Sequence, residues 1–177
     1  FFINFFYKIF PFFSEGNTAR WVREQLNSIP TGETILDAGA GECKYKKYCS
    51  HLNYTSTDFG RYSGGGDSIG LQTNKWDISK IDIICDIEKI SIKGVSFDNI
   101  LCTEVLEHVP HPDKAIEEFS RILKPNGRLI ITAPFCSQTH FAPFHFSSGF
   151  NLYLYKKILK EYNLEIVDYS INGNFFD

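Results

Sequence analysis

Short apolar runs alternate along the chain with stretches of helical period. Thr34-Ile35-Leu36 runs into Asp37, Asn53 through Thr57 into Asp58, and Ile81-Asp82-Ile83-Ile84-Cys85 into Asp86. Phe97 through Cys102 runs into Thr103 and Glu104, and Leu129 through Ala133 makes a fifth run. Their length and β-branched content predict buried strands. Between them, apolar residues recur at helical spacing. Residues 17–26 form one such stretch, with Asn17 as cap and Trp21, Val22 and Leu26 on one stripe. A second helix is expected over about 45–51. A third runs from Pro112 to Leu123, capped by Asp113, with Ala115, Ile116, Phe119, Ile122 and Leu123 on one face. Lys124-Pro125-Asn126-Gly127 ends it with positive charge and a turn. A helix over 153–162 and a sixth strand over 164–169 follow, and Gly64-Gly65-Gly66 reads as a flexible loop.

This order predicts an α/β, Rossmann-like, doubly wound and mostly parallel sheet with helices on both faces. Ligands of such sheets bind beyond the carboxyl ends of the strands, where the strand order reverses. Acids are poor strand formers, so Asp37, Asp58, Asp86 and Glu104 recurring at that one edge point to a site.

At 177 residues the chain suits one domain, assigned to 17–177 and preceded by an aromatic segment, 1–16. Phe1–Phe13 is rich in Phe and Ile but interrupted by Asn4, Lys8 and Pro11. It is too short to span a bilayer and lacks the basic start and cleavage site of a secretory signal. A lid helix over the mouth of the site is favoured there over an interfacial membrane contact. No methionine occurs, even at position 1, which points to a chain trimmed from a longer one.

Composition changes this picture little. Aromatics reach 16%, which suggests an aromatic-lined pocket. A net charge of −3 offers no basic footprint for a nucleic-acid backbone, so a nucleic-acid partner is disfavoured. Cys43, Cys49, Cys85, Cys102 and Cys136 form an odd set without a CxxC pair, as expected of reduced thiols in a cytoplasmic protein. No transmembrane segment is expected, and no oligomeric state follows from the sequence.

The loop Asp37-Ala38-Gly39-Ala40-Gly41-Glu42 carries the first specific chemistry. Gly39 and Gly41 permit a tight turn and a close approach of backbone to ligand, as dinucleotide-binding loops also do. Two features separate the alternatives. Lys44 stands where a dinucleotide fingerprint wants Gly or Ala, and Asp37 carries a charge that would repel a pyrophosphate. A carboxylate suits the ammonium and sulfonium of S-adenosylmethionine (SAM), which has no phosphate. Asp58 lies 21 residues after Asp37, the spacing at which a second-strand acid reaches ribose hydroxyls. Asp86 can accept from an adenine amine, with Phe59 and Ile87 sandwiching the ring.

The stretches Ile35 to Glu42, Asp58-Phe59, Cys85-Asp86-Ile87 and above all Phe97 through Pro134 are similar to those of class I SAM-dependent methyltransferases of the small-molecule type, the group that includes ubiquinone-biosynthesis methyltransferases. The resemblance covers about residues 17–170. It implies SAM as cofactor, S-adenosylhomocysteine as product, and Asp37, Gly39, Gly41, Glu42, Asp58, Asp86, Ile87 and Glu104 as cofactor contacts, with Ala38, Ala40 and Thr103 beside them. Such folds usually add a seventh, antiparallel strand. Here the sequence stops soon after the sixth, so the expectation is either a missing terminus or a short sheet.

The expected reaction moves the methyl group of SAM to a small-molecule acceptor, preferably at O or N. A sugar, a surface-glycan precursor, or an aromatic or isoprenoid metabolite would serve. A hydroxyl acceptor needs a general base, and His is the default near neutral pH. His140 and His145 lie in the Phe-rich stretch 135–146 and are the leading candidates, with His108 third; His111 reads as a solvent-exposed loop residue. Glu104-Val105-Leu106-Glu107-His108 also resembles the E-x-x-E-H ligand motif of some metal-dependent methyltransferases. Glu104, Glu107 and His108 would share a helical face, with His140 or His145 completing a divalent site. The metal-free reading is preferred, with Glu104 serving the cofactor and Glu107 the fold. The alternatives to the enzyme are a non-catalytic SAM-binding module and, behind it, an NAD-dependent oxidoreductase.

Overall fold

The computed structural model describes residues 2–5, 7–8, 15–73 and 75–172. In chain order the elements are β1 (Phe2–Phe5), β2 (Tyr7–Lys8), α1 (Glu15–Asn27), β3 (Thr34–Ala38), β4 (Asn53–Asp58), β5 (Ile83–Ile84), β6 (Phe97–Thr103), α2 (Pro112–Ile122), β7 (Leu123–Thr132), α3 (Leu152–Glu161), β8 (Glu165–Asp168) and β9 (Ile171–Asn172). Single 3-10 turns stand at Lys46–Tyr48 and Leu106–His108.

The sheet order is β5-β4-β3-β6-β7-β1-β8, and its described pairings are parallel. Successive side chains of a strand point to opposite faces, so each central strand feeds two cores. Leu36, Ile100, Leu129 and Ile131 pack with Ile116 and Phe119 of α2 and with Tyr155 and Leu159 of α3. Their neighbours Ile35, Leu101 and Ile130 pack with Val22 and Leu26 of α1. Helices therefore cover both faces, as the apolar runs predict.

Local chemistry explains where elements differ from the sequence pattern. Only one 3-10 turn forms within 45–51. Gly32 N–H donates to the His51 carbonyl and Asn53 N–H to that of Glu33, so the chain is drawn back beside β3 before a helix can wind. The third run pairs only at Ile83–Ile84, because Asp82 Oδ2 accepts from both the N–H (2.8 Å) and the hydroxyl (2.7 Å) of Ser56, replacing ladder bonds. Asp113 is not the cap of α2. Pro112 opens the helix with its fixed φ, and Asp113 sits inside the first turn. The Lys124–Gly127 turn is an excursion within β7, between the pairs Phe97↔Leu123 and Asn99↔Arg128.

The largest difference lies at the start. Where a lid helix is favoured, Phe2–Phe5 forms a strand between β7 and β8, and Tyr7–Lys8 pairs with β9. A short apolar run fits a doubly covered strand as well as a helix, and periodicity alone cannot separate them. The sheet thus has seven strands, the seventh being parallel and drawn from the beginning of the chain. The rest of 1–14 lies outside the described residues. No helix among the described residues is long and apolar enough to cross a membrane.

Candidate active site

The strand order reverses between β3 and β6: β4 and β5 extend the sheet to one side, β7 to the other. A cleft of about 490 Å³ opens over the carboxyl ends there, a size typical of small-molecule sites. Its floor is the glycine loop. Gly39 and Ala40 N–H both donate to the Thr57 carbonyl, at 2.8 and 2.9 Å. Gly41 N–H donates to Asp58 Oδ2 at 3.0 Å, and Gly60 N–H to Oδ1 at 2.9 Å. Asp58, at the end of β4, therefore holds two loops while it lines the cleft. Gly41 has φ +52, and a Cβ there would stand 2.6 Å from Trp76 Cζ2.

Phe59, Asp86 and Ile87 line the same cleft, with Asp86 Oδ1 accepting from Glu88 N–H at 2.9 Å. At the end of β6, Thr103 and Glu104 also line it. Glu104 has φ +52, and its Oε1 is buried with no hydrogen-bond partner among the described residues. A bare carboxylate oxygen in that position is costly unless a cation or donor reaches it.

The structure brings together Gly39, Ala40, Gly41, Glu42, Asp58, Phe59, Asp86, Ile87, Thr103 and Glu104, but not Asp37 and Ala38. Asp37 shares the strand face of Ile35, and its Oδ2 accepts from the Tyr54 hydroxyl at 2.7 Å. Burial pushes its carboxyl up to about 7, against the lowering effect of the Tyr54 hydrogen bond and with a further rise from the Asp58 charge. Ala38 packs into the core on the α2 side.

Beside the cleft the histidines gather. His108 lines it, and ring centroids lie 4.6 Å apart for His108–His140, 4.7 Å for His140–His145 and 5.9 Å for His108–His145. Burial pushes His108 down to about 4, outweighing its hydrogen bond to the Phe144 carbonyl. Burial and the neighbouring His140 also lower His145. Phe141 stacks on His108 with centroids 5.2 Å apart, whereas Phe135 and Phe146 are exposed. His111 is exposed, as expected. Of the residues expected for a metal, His108 and His145 stand in one cluster with His140, and Glu104 and Glu107 are outside that cluster, although Glu107 Oε1 lies 3.9 Å from His108 Nε2 and 4.0 Å from His140 Nε2.

Sequence reasoning misses Tyr62, Trp76 and Arg61, which also line the cleft. Tyr62, Trp76 and Phe141 form an aromatic triad with centroids 4.7–5.7 Å apart. Segments 59–80 and 135–150 meet to build it: Leu71 N–H donates to the Thr139 carbonyl and Phe141 N–H to that of Leu71. The glycine run belongs to this closure. A Cβ on Gly66, at φ +51, would overlap the Ala142 carbonyl oxygen, so the run is packed rather than merely flexible. Tyr62 and Trp76, bulky aromatics in a loop rich in glycine and polar residues, are the signal in the sequence.

A family profile described as a methyltransferase domain matches residues 36–131. The chain is 32% identical over 138 residues to demethylmenaquinone methyltransferase of Renibacterium salmoninarum, covering 74% of this chain and 54% of the relative. It is 28% identical over 126 residues to probable tRNA methyltransferase 9B of Homo sapiens, covering 68% of this chain and 26% of that protein. The chain thus spans about half or less of these relatives' lengths. Among solved structures, phosphoethanolamine N-methyltransferase 2 of Haemonchus contortus in complex with S-adenosyl-L-methionine shares the fold. Its TM-score is 0.59 at 19% identity, over 82% of this chain and 36% of that one.

Proposed function

The chain belongs to the methyltransferase domain family, and on that premise we propose that it transfers the methyl group of SAM to a small-molecule acceptor, at oxygen or nitrogen. The observation that carries this reading is the pairing of Asp58 with Glu104 across one cleft. Asp58, already anchored by Gly41 and Gly60, keeps lone pairs for a ribose diol, since each carboxylate oxygen can accept twice. Glu104 offers a buried oxygen with no partner among the described residues, which suits a cationic ligand. Phe59 and Ile87 provide apolar walls for an adenine, and Asp86 an acceptor for its amine. SAM, when bound, supplies an already activated methyl group, so the chain's task is alignment and exclusion of water. The triad of Tyr62, Trp76 and Phe141 closes the cleft on that side.

In this reading His108, which lines the cleft, and its neighbours His140 and His145 activate an acceptor hydroxyl. The relative named for demethylmenaquinone supports a small metabolite. The relative named for tRNA favours a nucleic acid instead, against which stands the net charge of −3 on these residues. The described cysteines are free thiols, in keeping with a cytoplasmic setting as part of the same proposal.

Calorimetric titration with S-adenosylhomocysteine and NAD tests the cofactor half. Micromolar binding of the first and none of the second is expected; the reverse would falsify the reading. Labelled-methyl transfer to panels of quinols, phenols, sugars and tRNA tests the acceptor. Cofactor binding without transfer to any of them would favour a non-catalytic module.

A further inference from the structure

Two separate stretches of chain bring four donor groups together beside the cleft. Glu107 and His108 belong to the 3-10 turn after β6. His140 and His145 belong to the loop after β7, which is pinned to that turn by Phe146 N–H donating to the Glu107 carbonyl at 2.8 Å. One ligand nitrogen from each of His108, His140 and His145 lies within 4.8 Å of the others.

The backbone fixes the tautomers of two of these rings. His108 Nδ1 lies 2.5 Å from the Phe144 carbonyl oxygen, and His140 Nδ1 2.8 Å from that of Gln138. A carbonyl only accepts, so each Nδ1 carries the hydrogen and each neutral ring presents a bare lone pair at Nε2. Both Nε2 atoms face one oxygen, Glu107 Oε1, at 3.9 and 4.0 Å. His108 Nε2 and both nitrogens of His145 are buried and have no hydrogen-bond partner among the described residues.

Lone pairs turned toward a buried carboxylate repel it unless a cation lies between them. A proton fits poorly, because these separations exceed hydrogen-bond length. A metal ion fits well. Donors about 2.0–2.2 Å from one ion stand about 3–4 Å apart, and an Nδ1–H donated to a carbonyl is the usual outer contact of a ligating histidine.

We propose that His108, His140, His145 and Glu107 bind a divalent transition-metal ion at the wall of the cleft. Three imidazoles and one carboxylate suit zinc, manganese or iron(II); magnesium and calcium prefer all-oxygen sites. His108 is the shared element: its ring belongs to the cluster and also lines the cleft. Metal binding here is separable from cofactor binding at Asp58 and Glu104.

The test uses the whole chain, stripped with chelator and then dialysed against Zn²⁺, Mn²⁺ or Mg²⁺, with bound metal measured by elemental analysis. About one Zn²⁺ or Mn²⁺ per chain is expected, with Mg²⁺ at least about tenfold weaker. His140→Ala and His145→Ala should each weaken binding by about tenfold or more while S-adenosylhomocysteine binding persists as the check on folding. Co²⁺ substitution should give visible bands of a nitrogen–oxygen site without thiolate charge-transfer absorption, which separates it from the free cysteines. Metal uptake no greater than in the His140→Ala/His145→Ala double variant, or a thiolate spectrum, overturns the proposal. Metal bound at one per chain without any S-adenosylhomocysteine binding would leave this site standing and remove the cofactor reading.

Discussion

Gly41 N–H donates to Asp58 Oδ2 over 3.0 Å, so the acid ending β4 holds the loop that follows β3. Its other oxygen takes Gly60 N–H at 2.9 Å. Asp58 thus shapes the floor of the cleft as well as facing into it. Asp58→Ala should weaken S-adenosylhomocysteine binding by about 1–3 kcal/mol, through lost acceptor capacity and a loosened loop. Asp58→Asn, which retains one acceptor oxygen, should lose less. Calorimetric affinities equal to the native chain for both variants would remove Asp58 from the site.

Trp76 packs over the same loop, 2.6 Å from where a Cβ on Gly41 would stand. Gly41→Ala meets that clash and an unfavourable φ of +52 together, and should cost about 1–2 kcal/mol of stability with weaker cofactor binding. Replacing Trp76 by Ala relieves the clash but not the backbone strain. The double variant should therefore regain part of the loss. Denaturant unfolding of the three variants reads this out, and simple additivity of the two single changes would show that the ring and the loop are uncoupled.

What could be read from the chain follows from how local each feature is. The strands announce themselves by apolar runs closed by Asp37, Asp58 and Asp86, and the edge they share is dictated by parallel βαβ connection. The face on which Asp37 sits is set by strand alternation, which the acid-ended pattern does not reveal. The aromatic triad needs segments 59–80 and 135–150 to meet through Leu71 and Thr139, a long-range closure with no local signature. His140 meets His108 and Glu107 only once that closure is made, so E-x-x-E-H alone does not reveal which side chains stand together. Phe2–Phe5 is ambiguous for another reason: a short apolar run does not state its partner.

Asp98 ties the start of β3 to β6 and β7. Its Oδ2 accepts from Thr34 N–H (2.9 Å) and from the Thr34 hydroxyl (2.6 Å), and Lys124 Nζ stands 2.9 Å from both oxygens. Burial raises this carboxyl, but the Thr34 hydroxyl and Lys124 outweigh it, holding it at about 2. The folded chain therefore releases a proton that the unfolded chain still holds just below the ordinary value of 3.8. The associated stability is complete above pH 4 and is lost as pH falls through about 2. Because Lys124 is 40% exposed, solvent screening reduces its worth to about 1–2 kcal/mol. Asp98→Asn should lower stability by that amount at pH 7 and not at pH 2, measured by urea unfolding.

Asp37 gives the opposite pH dependence. Its carboxyl titrates near 7 when folded, chiefly because it is buried, against an ordinary value of 3.8. Between those values the folded chain keeps a proton that the unfolded chain has released, so stability falls as pH rises from about 4 to about 7 and is level beyond. The full span corresponds to a loss on the order of 4 kcal/mol. Asp37→Asn keeps an oxygen for the Tyr54 hydroxyl and removes the ionisation. Its advantage over the native chain should be absent near pH 4 and should grow to a few kcal/mol by pH 7. Because Asp37 lies outside the cleft lining, this variant should lose less S-adenosylhomocysteine affinity than Asp58→Ala. A stability difference independent of pH would refute the buried, proton-holding state. An affinity loss larger than that of Asp58→Ala would return Asp37 to the cofactor.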